Sequence, residues 1–392
     1  MITRFGSLYA GHVDLDDHGL AATPVNDRWL SNERLLTVFD KATRIAQLMD
    51  RRGYDVFWLA EHHFQREGYE VIPNILLLAV HLAHLTQRIK IGCGFNIAPM
   101  WHPLRLAEDY AVADYLTGGR VVFGVGRGYH TREVETFGAP MLDPDANRAL
   151  FEEQIDIIFK AFDEPAFSHT GTYYTLPPRV PYRGYGLQDL TLVPRPARLP
   201  VECYQPIVSA SPRGLDFMAR HGIKGVIGGG AAGGGAASKT VVAWQEAQAR
   251  QGRQTLLGAN LVVGIMFHIA DTEEQAIEEA RPYFQEWMKM FAPLGFVPGL
   301  SEEQVRALAD PKLAPHADLP TLEEAVQAGA WYVGPPQRLI ERFQDLQERF
   351  PGLEEVHVGQ VVGTDERVIL DQLDRFATEV MPAFKRTAVS VS

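Results

Sequence analysis

A closed α/β barrel, eight parallel strands each followed by a helix, is the fold class this sequence predicts, and three observations predict it. Short apolar runs alternate with amphipathic segments along almost the whole chain, which is the pattern of repeated βα units building a parallel sheet. Eight such runs occur, more than open doubly wound sheets usually hold, and the helices between them favour closure. The length of 392 residues suits one barrel with insertions, since such barrels often outgrow the ordinary domain size. A single domain over 1–385 is expected, with a short polar tail at 386–392.

The first strand is expected at 3–10 (TRFGSLYA). A helix at 33–52 follows, in which Leu35, Leu36, Phe39, Ala42, Ile45, Ala46 and Met49 recur at helical spacing and Gly53 supplies the stop. Strand two lies at 55–61 (DVFWLAE), a helix at 73–86, strand three at 89–97 (IKIGCGFNI), a helix at 103–117 and strand four at 121–126 (VVFGVG). A long amphipathic helix at 145–163 precedes FSHTGTYYTL, which has the pattern of a hairpin insertion near 165–176 laid across the barrel. The apolar face of that helix also makes it the candidate contact of a homodimer. Strand five is placed at 206–210 (PIVSA), then a helix at 212–221, strand six at 224–229, a helix at 239–251 and strand seven at 260–270. A helix at 335–349, strand eight at 354–360 (EEVHVGQ) and a helix at 364–381 close the series.

Two stretches break the alternation. Residues 228–238 (GGGAAGGGAAS) carry no side chain large enough to pack and are expected to form a mobile loop. Residues 271–333 open with a helix at 272–291 and continue through Pro- and Gly-interrupted chain; this is too long for a simple connection, and a lid is expected there.

Hydrophobic residues make up 46% of the chain and charged residues 22%, enough for a large core without staples. The net charge of -12 argues against a nucleic-acid surface, which needs excess Lys and Arg. A small organic molecule is the expected partner. Cys93 and Cys203 are too few for a disulfide framework or a four-thiolate zinc site. With no signal-like start and no apolar run of membrane-spanning length, a cytoplasmic protein without a membrane partner is expected.

Parallel barrels build their sites where the strands end, so polar residues at those ends are the candidates. Strand two ends in Glu61, His62 and His63. Neighbours on a strand point to opposite faces, so one histidine is expected to aim into the barrel mouth and the other to pack outward. A histidine there is a natural acid or base, because it titrates near neutral pH. Metal binding is the weaker interpretation: HExxH is absent, adjacent histidines do not easily chelate one ion, and no further ligand cluster is visible. His81 and His84, three apart on a helix, suit a solvated face.

Strand four ends in GVGRG at 124–128, where the full GxGxxG is broken by Tyr129. What remains is a small-residue strand end that lets a flat ring approach, followed by Arg127, a fixed cation for a phosphate. An exposed arginine beyond a barrel strand would look the same. Strand five leads into SASPRG at 209–214, where Ser211 precedes Pro212 and can cap the next helix. Free amides at such a terminus attract phosphate. One cation and one helix terminus suit a monophosphate, and no GxxxxGK[ST] suggests a triphosphate. Phe57, Trp58, Phe64, Phe95, Trp101 and Tyr129 are expected near these strand ends, as packing or as walls for a flat tricyclic ring.

YDVFWLAEHHF at 54–64, IGCGFNIAPMWHPLRLAED at 91–109, GGRVVFGVGRGYH at 118–130 and VMPAFK at 380–385 together closely resemble the bacterial luciferase-like flavin monooxygenases. The similarity runs in order through nearly the whole chain. It implies a TIM barrel holding FMN as FMNH2 supplied by a separate reductase, with O2 as co-substrate and a C4a-peroxyflavin that oxygenates a small organic substrate. By position, His62 matches the family's catalytic histidine, a base acting on the flavin–oxygen adduct. Arg127 and Ser211 match residues at the flavin phosphate, and Gly214 a position where a threonine can assist. Gly94 and Phe95 match a non-prolyl cis peptide under the isoalloxazine ring, and Tyr129 completes the expected cofactor contacts. Gly126 stands where the light-emitting subunit has a cysteine lining the flavin, and Ala210 where it has a glutamate, which argues against light emission. The rival implications are a deazaflavin oxidoreductase on the same fold and a non-catalytic flavin-binding partner subunit.

Overall fold

The computed structural model describes residues 1–228, 235–297 and 299–385. Its strands, numbered here as barrel staves, are β1 (Arg4–Tyr9), β2 (Val56–Leu59), β3 (Lys90–Cys93), β4 (Val121–Gly126), β5 (Cys203–Pro206), β6 (Lys224–Ile227), β7 (Leu261–Ile269) and β8 (Glu355–Gly359). Each is parallel to the next in chain order, and β8 returns to β1 through the pairs Arg4↔Glu355, Phe5↔Val356 and Gly6↔His357. The sheet is therefore a closed eight-stranded TIM barrel, as the alternation of elements predicts.

Strand alternation builds two cores. From β2, Phe57 points outward into the layer between staves and helices, where it stacks on Tyr9, while Trp58 points inward with Val56, Val122, Tyr204 and Val262. Gly92 makes room for Trp58: a Cβ there would lie 2.4 Å from the indole. Emptying such a site costs about 3–5 kcal/mol in general, so Trp58 is a major fixture of the barrel interior. Helix boundaries follow the local signals. Asn32–Arg52 is capped by the Ser31 side chain and stopped by Gly53 at φ 78, in the left-handed region glycine tolerates.

Several expectations need correction. Strand five is Cys203–Pro206, upstream of the expected 206–210, and Val208 in the misassigned run is 81% exposed. Register decides this, since Cys203 and Tyr204 lie opposite Phe123 and Gly124 of β4. Strand three stops at Cys93, and Asn96–Ile97 pairs separately with β4. The hairpin is present as His169–Thr170 against Thr175–Leu176, but it is tied to the helix Pro144–Asp163, where Glu153 accepts from the amides of Thr172, Tyr173 and Tyr174. That helix buries Phe151, Ile155, Ile158 and Phe162 within the chain itself, which removes its apolar face as grounds for a homodimer. The aromatic set also disperses: Phe57 is outside the barrel, Trp58 inside it, and Phe64 on the surface. The expected final helix divides into Glu366–Arg375, a π turn at Phe376–Val380, and Pro382–Lys385.

The 271–333 insertion holds the helix Glu273–Phe291, shorter helical turns, and a strand, Trp331–Gly334, that pairs with the far half of β7. It has its own core, in which Phe284 and Met288 pack with Leu308, Leu322 and Trp331. The tail at 386–392 and most of the Gly-rich stretch, 229–234, lie outside the described residues; Gly235–Arg250 is helix, starting before the expected 239. Among the described residues no helix is long and apolar enough to cross a membrane.

Candidate active site

The ends of β2 and β4 converge on one buried polar cluster. His62 follows β2 and is 4% exposed, its backbone fixed by an amide bond to the Ile72 carbonyl. Its Nδ1 donates to Glu133 Oε2 at 3.3 Å, and its Nε2 lies 3.1 Å from the Tyr129 hydroxyl and 3.4 Å from Glu70 Oε1. Tyr129 in turn donates to Glu70 Oε1 at 2.6 Å, and His130 Nε2 donates to Glu70 Oε2 at 2.9 Å. Gln65 holds the other oxygen of Glu133, and Arg132 binds both Gln65 and Glu67. Loss of solvent works against a charged His62 ring, but Glu70 and Glu133 outweigh it, so its pKa is raised above the usual 6.5. Desolvation pushes Glu133 the other way, yet its hydrogen bond and charge contact with His62 leave its pKa lowered. Both ring nitrogens of His62 thus have a polar partner, Glu133 at Nδ1 and Tyr129 at Nε2, and the two carboxylates favour the protonated ring.

β2 ends at Leu59, short of the expected 61, so His62 and His63 lie in the chain beyond it, and His63 takes partners different from those of His62. It donates to Glu61 Oε1 at 3.1 Å and packs against the Phe137 ring. Glu61 also accepts from the Ile97 amide and Trp101 Nε1, both at 2.8 Å, which ties the end of β2 to the chain beyond β3. In that chain the peptide between Gly94 and Phe95 is cis, matching the resemblance. Gly126 faces it: a Cβ there would come within 3.3 Å of the Phe95 Cβ.

A second cluster, cationic, lies beyond β4 and β5. Arg127 is half-buried, and its one side-chain partner is Asn147 Oδ1 at 3.4 Å. Arg148, from the helix Pro144–Asp163, comes within 3.4 Å of where a Gly214 Cβ would stand, at the start of the helix Pro212–His221. Among the described residues neither arginine forms an ion pair, and desolvation together with the charge of Arg148 lowers the pKa of Arg127. Ser211 is the N-cap residue of Pro212–His221, but its side chain makes no capping bond, contrary to the expected cap. Ala210 is exposed beside it. Guanidinium groups, a hydroxyl and a helix N-terminus are the groups that bind anions in general.

Of the residues expected from sequence, the structure brings His62 and Tyr129 into one cluster, sets Gly126 against Phe95, and places Arg127 near Arg148, which in turn lies beside Gly214; no contact joins Ser211 to Arg127 among the described residues. Glu70, Glu133, His130 and Arg148 were missed. Glu70 lies in the loop that follows His62, and His130 and Glu133 at the start of the short helix Thr131–Val134 that follows Arg127, where no local motif marks them.

The fold is a parallel β/α barrel with a buried histidine–carboxylate cluster and two arginines beyond its strand ends. The model of the luciferase-like monooxygenases matches residues 13–351, and the chain belongs to that family. A trigonelline monooxygenase from Acinetobacter baylyi, named as flavin-dependent and as an oxygenase component, is 25% identical over 90% of this chain and 91% of its own. The uncharacterised protein y4vJ of Sinorhizobium fredii is 35% identical, but over 34% of this chain and only 36% of its own length. In fold the chain is similar to the oxygenating constituent of a 3,6-diketocamphane monooxygenase from Pseudomonas putida, solved with FMN, at TM-score 0.71 and 20% identity, covering 97% and 98% of the two chains. It is also similar to an F420-dependent secondary alcohol dehydrogenase, at TM-score 0.64 and 16% identity over 98% and 99%.

Proposed function

We propose that this protein is the oxygenase component of a two-component monooxygenase, taking reduced FMN from a separate reductase and using O2 to oxygenate a small organic substrate. The single observation that carries this is the pair of arginines without an ion-pair partner among the described residues, Arg127 and Arg148, with Arg148 beside the N-terminus of Pro212–His221. A flavin monophosphate fits there. The arginines and the Ser211 hydroxyl would hold its phosphate, and Gly126 with the Gly94–Phe95 segment would lie along its ring. When bound, reduced flavin supplies the electrons that activate O2. The A. baylyi relative's description as an oxygenase component and the FMN held by the P. putida structure support this assignment.

His62 would serve as the proton donor of the site through Nε2 beside Tyr129, with Glu70 and Glu133 favouring its protonated form. That differs from the base implied by the family pattern, because two carboxylates flank the ring. The 271–333 insertion would exclude water on the Tyr129 side, where Phe296 packs edge-on against Tyr129 at 5.0 Å and Phe291 at 6.4 Å. It is a pinned cover: Glu286, fully buried, meets Arg28 at 3.2 Å, Lys289 at 3.0 Å and the Gly19 amide at 3.0 Å.

The test is comparative binding of FMN, reduced FMN and F420, followed by O2 uptake with a flavin reductase and a panel of candidate organic substrates. Reduced FMN should bind and support substrate-dependent O2 uptake. Binding of F420 without FMN would transfer the assignment to a deazaflavin oxidoreductase, and FMN binding without any O2 uptake to a flavin-binding subunit.

A further inference from the structure

We propose that His62, Glu70 and His130 form a binding site for a divalent transition-metal ion, with zinc the best-matched class of ligand. The sequence shows no third ligand near His62, but the fold supplies two. One ligand atom from each residue lies within 4.8 Å of the others, and all three side chains are buried. Two imidazoles and a carboxylate are the donor set that zinc and its first-row neighbours take in open, solvent-completed sites. The Tyr129 oxygen lies beside two of the three donors, 3.1 Å from His62 Nε2 and 2.6 Å from Glu70 Oε1.

Two independent features point to a cation here. The first is the outer shell. A metal-bound histidine commonly donates its other ring N–H to a carboxylate, which fixes the ring and strengthens the ligand. His62 does so through Nδ1 to Glu133, whose second oxygen is held by Gln65 at 2.9 Å. The second is charge. Glu61, Glu67, Glu70 and Glu133 are each 5% exposed or less, and among the described residues the permanent cations that meet them, Arg132 and Arg66, both pair with Glu67, leaving Glu61, Glu70 and Glu133 with histidines. Burying that excess of carboxylates is costly unless cations accompany it. Protons on the histidines are one answer, and a dication is the other. The ion needs the Nε2 lone pairs of His62 and His130, so a filled site removes His62 from proton transfer and makes metal occupancy an off state for the chemistry proposed above.

Cobalt(II) is the probe for the test, because its visible absorption reports coordination directly. Flavin-free, chelator-treated full-length protein should bind one equivalent and develop d–d bands, and zinc should displace it. His130→Ala and Glu70→Gln should each weaken binding by more than about 100-fold, and Glu133→Gln by about 10- to 100-fold, with folding checked by circular dichroism. Failure of the wild-type protein to bind cobalt, or binding that persists in His130→Ala, overturns the proposal. Should the variants not fold, the zinc-edge X-ray absorption spectrum of the wild-type protein decides: scattering from two imidazoles supports the site, and its absence refutes it. The measurement involves no flavin, so either outcome leaves the FMN assignment standing on its own test.

Discussion

The two ends of the barrel handle charge in opposite ways. At the end where strands begin, each acid has a permanent cation: Arg4 pairs with Glu355 at 3.0 Å, where His357 also binds, and Glu202 pairs with Lys224 at 2.6 Å and Lys90 at 3.2 Å. At the end where strands finish, buried acids meet histidines as well as Arg132, and among the described residues Arg127 and Arg148 form no ion pair, although the charge of Glu152 reaches Arg127. Paired charges of fixed sign cost little to keep and do nothing further. Titratable partners and unpaired cations, by contrast, are stable only if a proton, an anion or an ion completes them. The contrast separates a closed base from a receptive mouth within one sheet, and substitutions at the two ends should therefore differ in kind.

The largest effect is expected from His62→Ala. Product formation with the substrate found by the O2-uptake screen should fall by about 10²–10⁴-fold, the usual worth of a positioned acid or base, while FMN affinity changes less than about threefold. Fluorescence titration and product assay separate the two, and parallel losses in both would show that His62 merely shapes the pocket. Next come Arg127→Ala and Arg148→Ala. Each removes a charge-assisted contact worth about 1.5–3 kcal/mol, or roughly a 10- to 100-fold loss in FMN affinity. Riboflavin, which lacks the phosphate, should bind the variants and the wild type alike; a matching loss for riboflavin would place the arginines elsewhere. A smaller effect attends Phe296→Ala. This side chain is partly exposed, so the fold should tolerate it, but opening the Tyr129 side of the mouth should raise the hydrogen peroxide released per FMNH2 oxidised. An unchanged peroxide yield would end the idea that the insertion keeps water out.

What was legible in the sequence follows the same division. Barrel closure, His62, Arg127 and the Ser211–Gly214 turn could be found because strand ends and helix starts leave local signatures. Glu133, Glu70 and Arg148 could not, because they reach the site only when loops and a helix from separate βα units fold against one another. The misplaced fifth strand has a related cause. CYQP and PIVSA are both plausible strands locally, and only pairing of Cys203 with Phe123 across the barrel selects the first. The uncapped Ser211 hydroxyl is likewise a property of the assembled mouth, not of the SPRG sequence.

The smallest effect belongs to the closed end, and it is an effect on stability with a defined pH window. Glu202 precedes β5, and although desolvation opposes its ionisation, Lys224, Lys90 and the Tyr204 hydroxyl bring its pKa from 4.5 to about 2. A carboxylate whose folded pKa lies below its unfolded value stabilises the protein fully above the unfolded value, and that contribution disappears as pH falls through the folded one. Wild type should therefore lose stability between about pH 4.5 and 2, and Glu202→Gln should lose less over the same window. Because the Glu202 side chain is 31% exposed, solvent screening keeps the difference between the two at neutral pH within about 1 kcal/mol. Urea unfolding midpoints at pH 7, 4.5 and 2.5 measure this, with the two proteins converging toward the lowest pH. FMN affinity should stay the same in both, since the base of the barrel lies at the far end from the arginines. A variant that bound FMN less tightly would show that the two ends are coupled through the staves, and the division of labour proposed for them would fail.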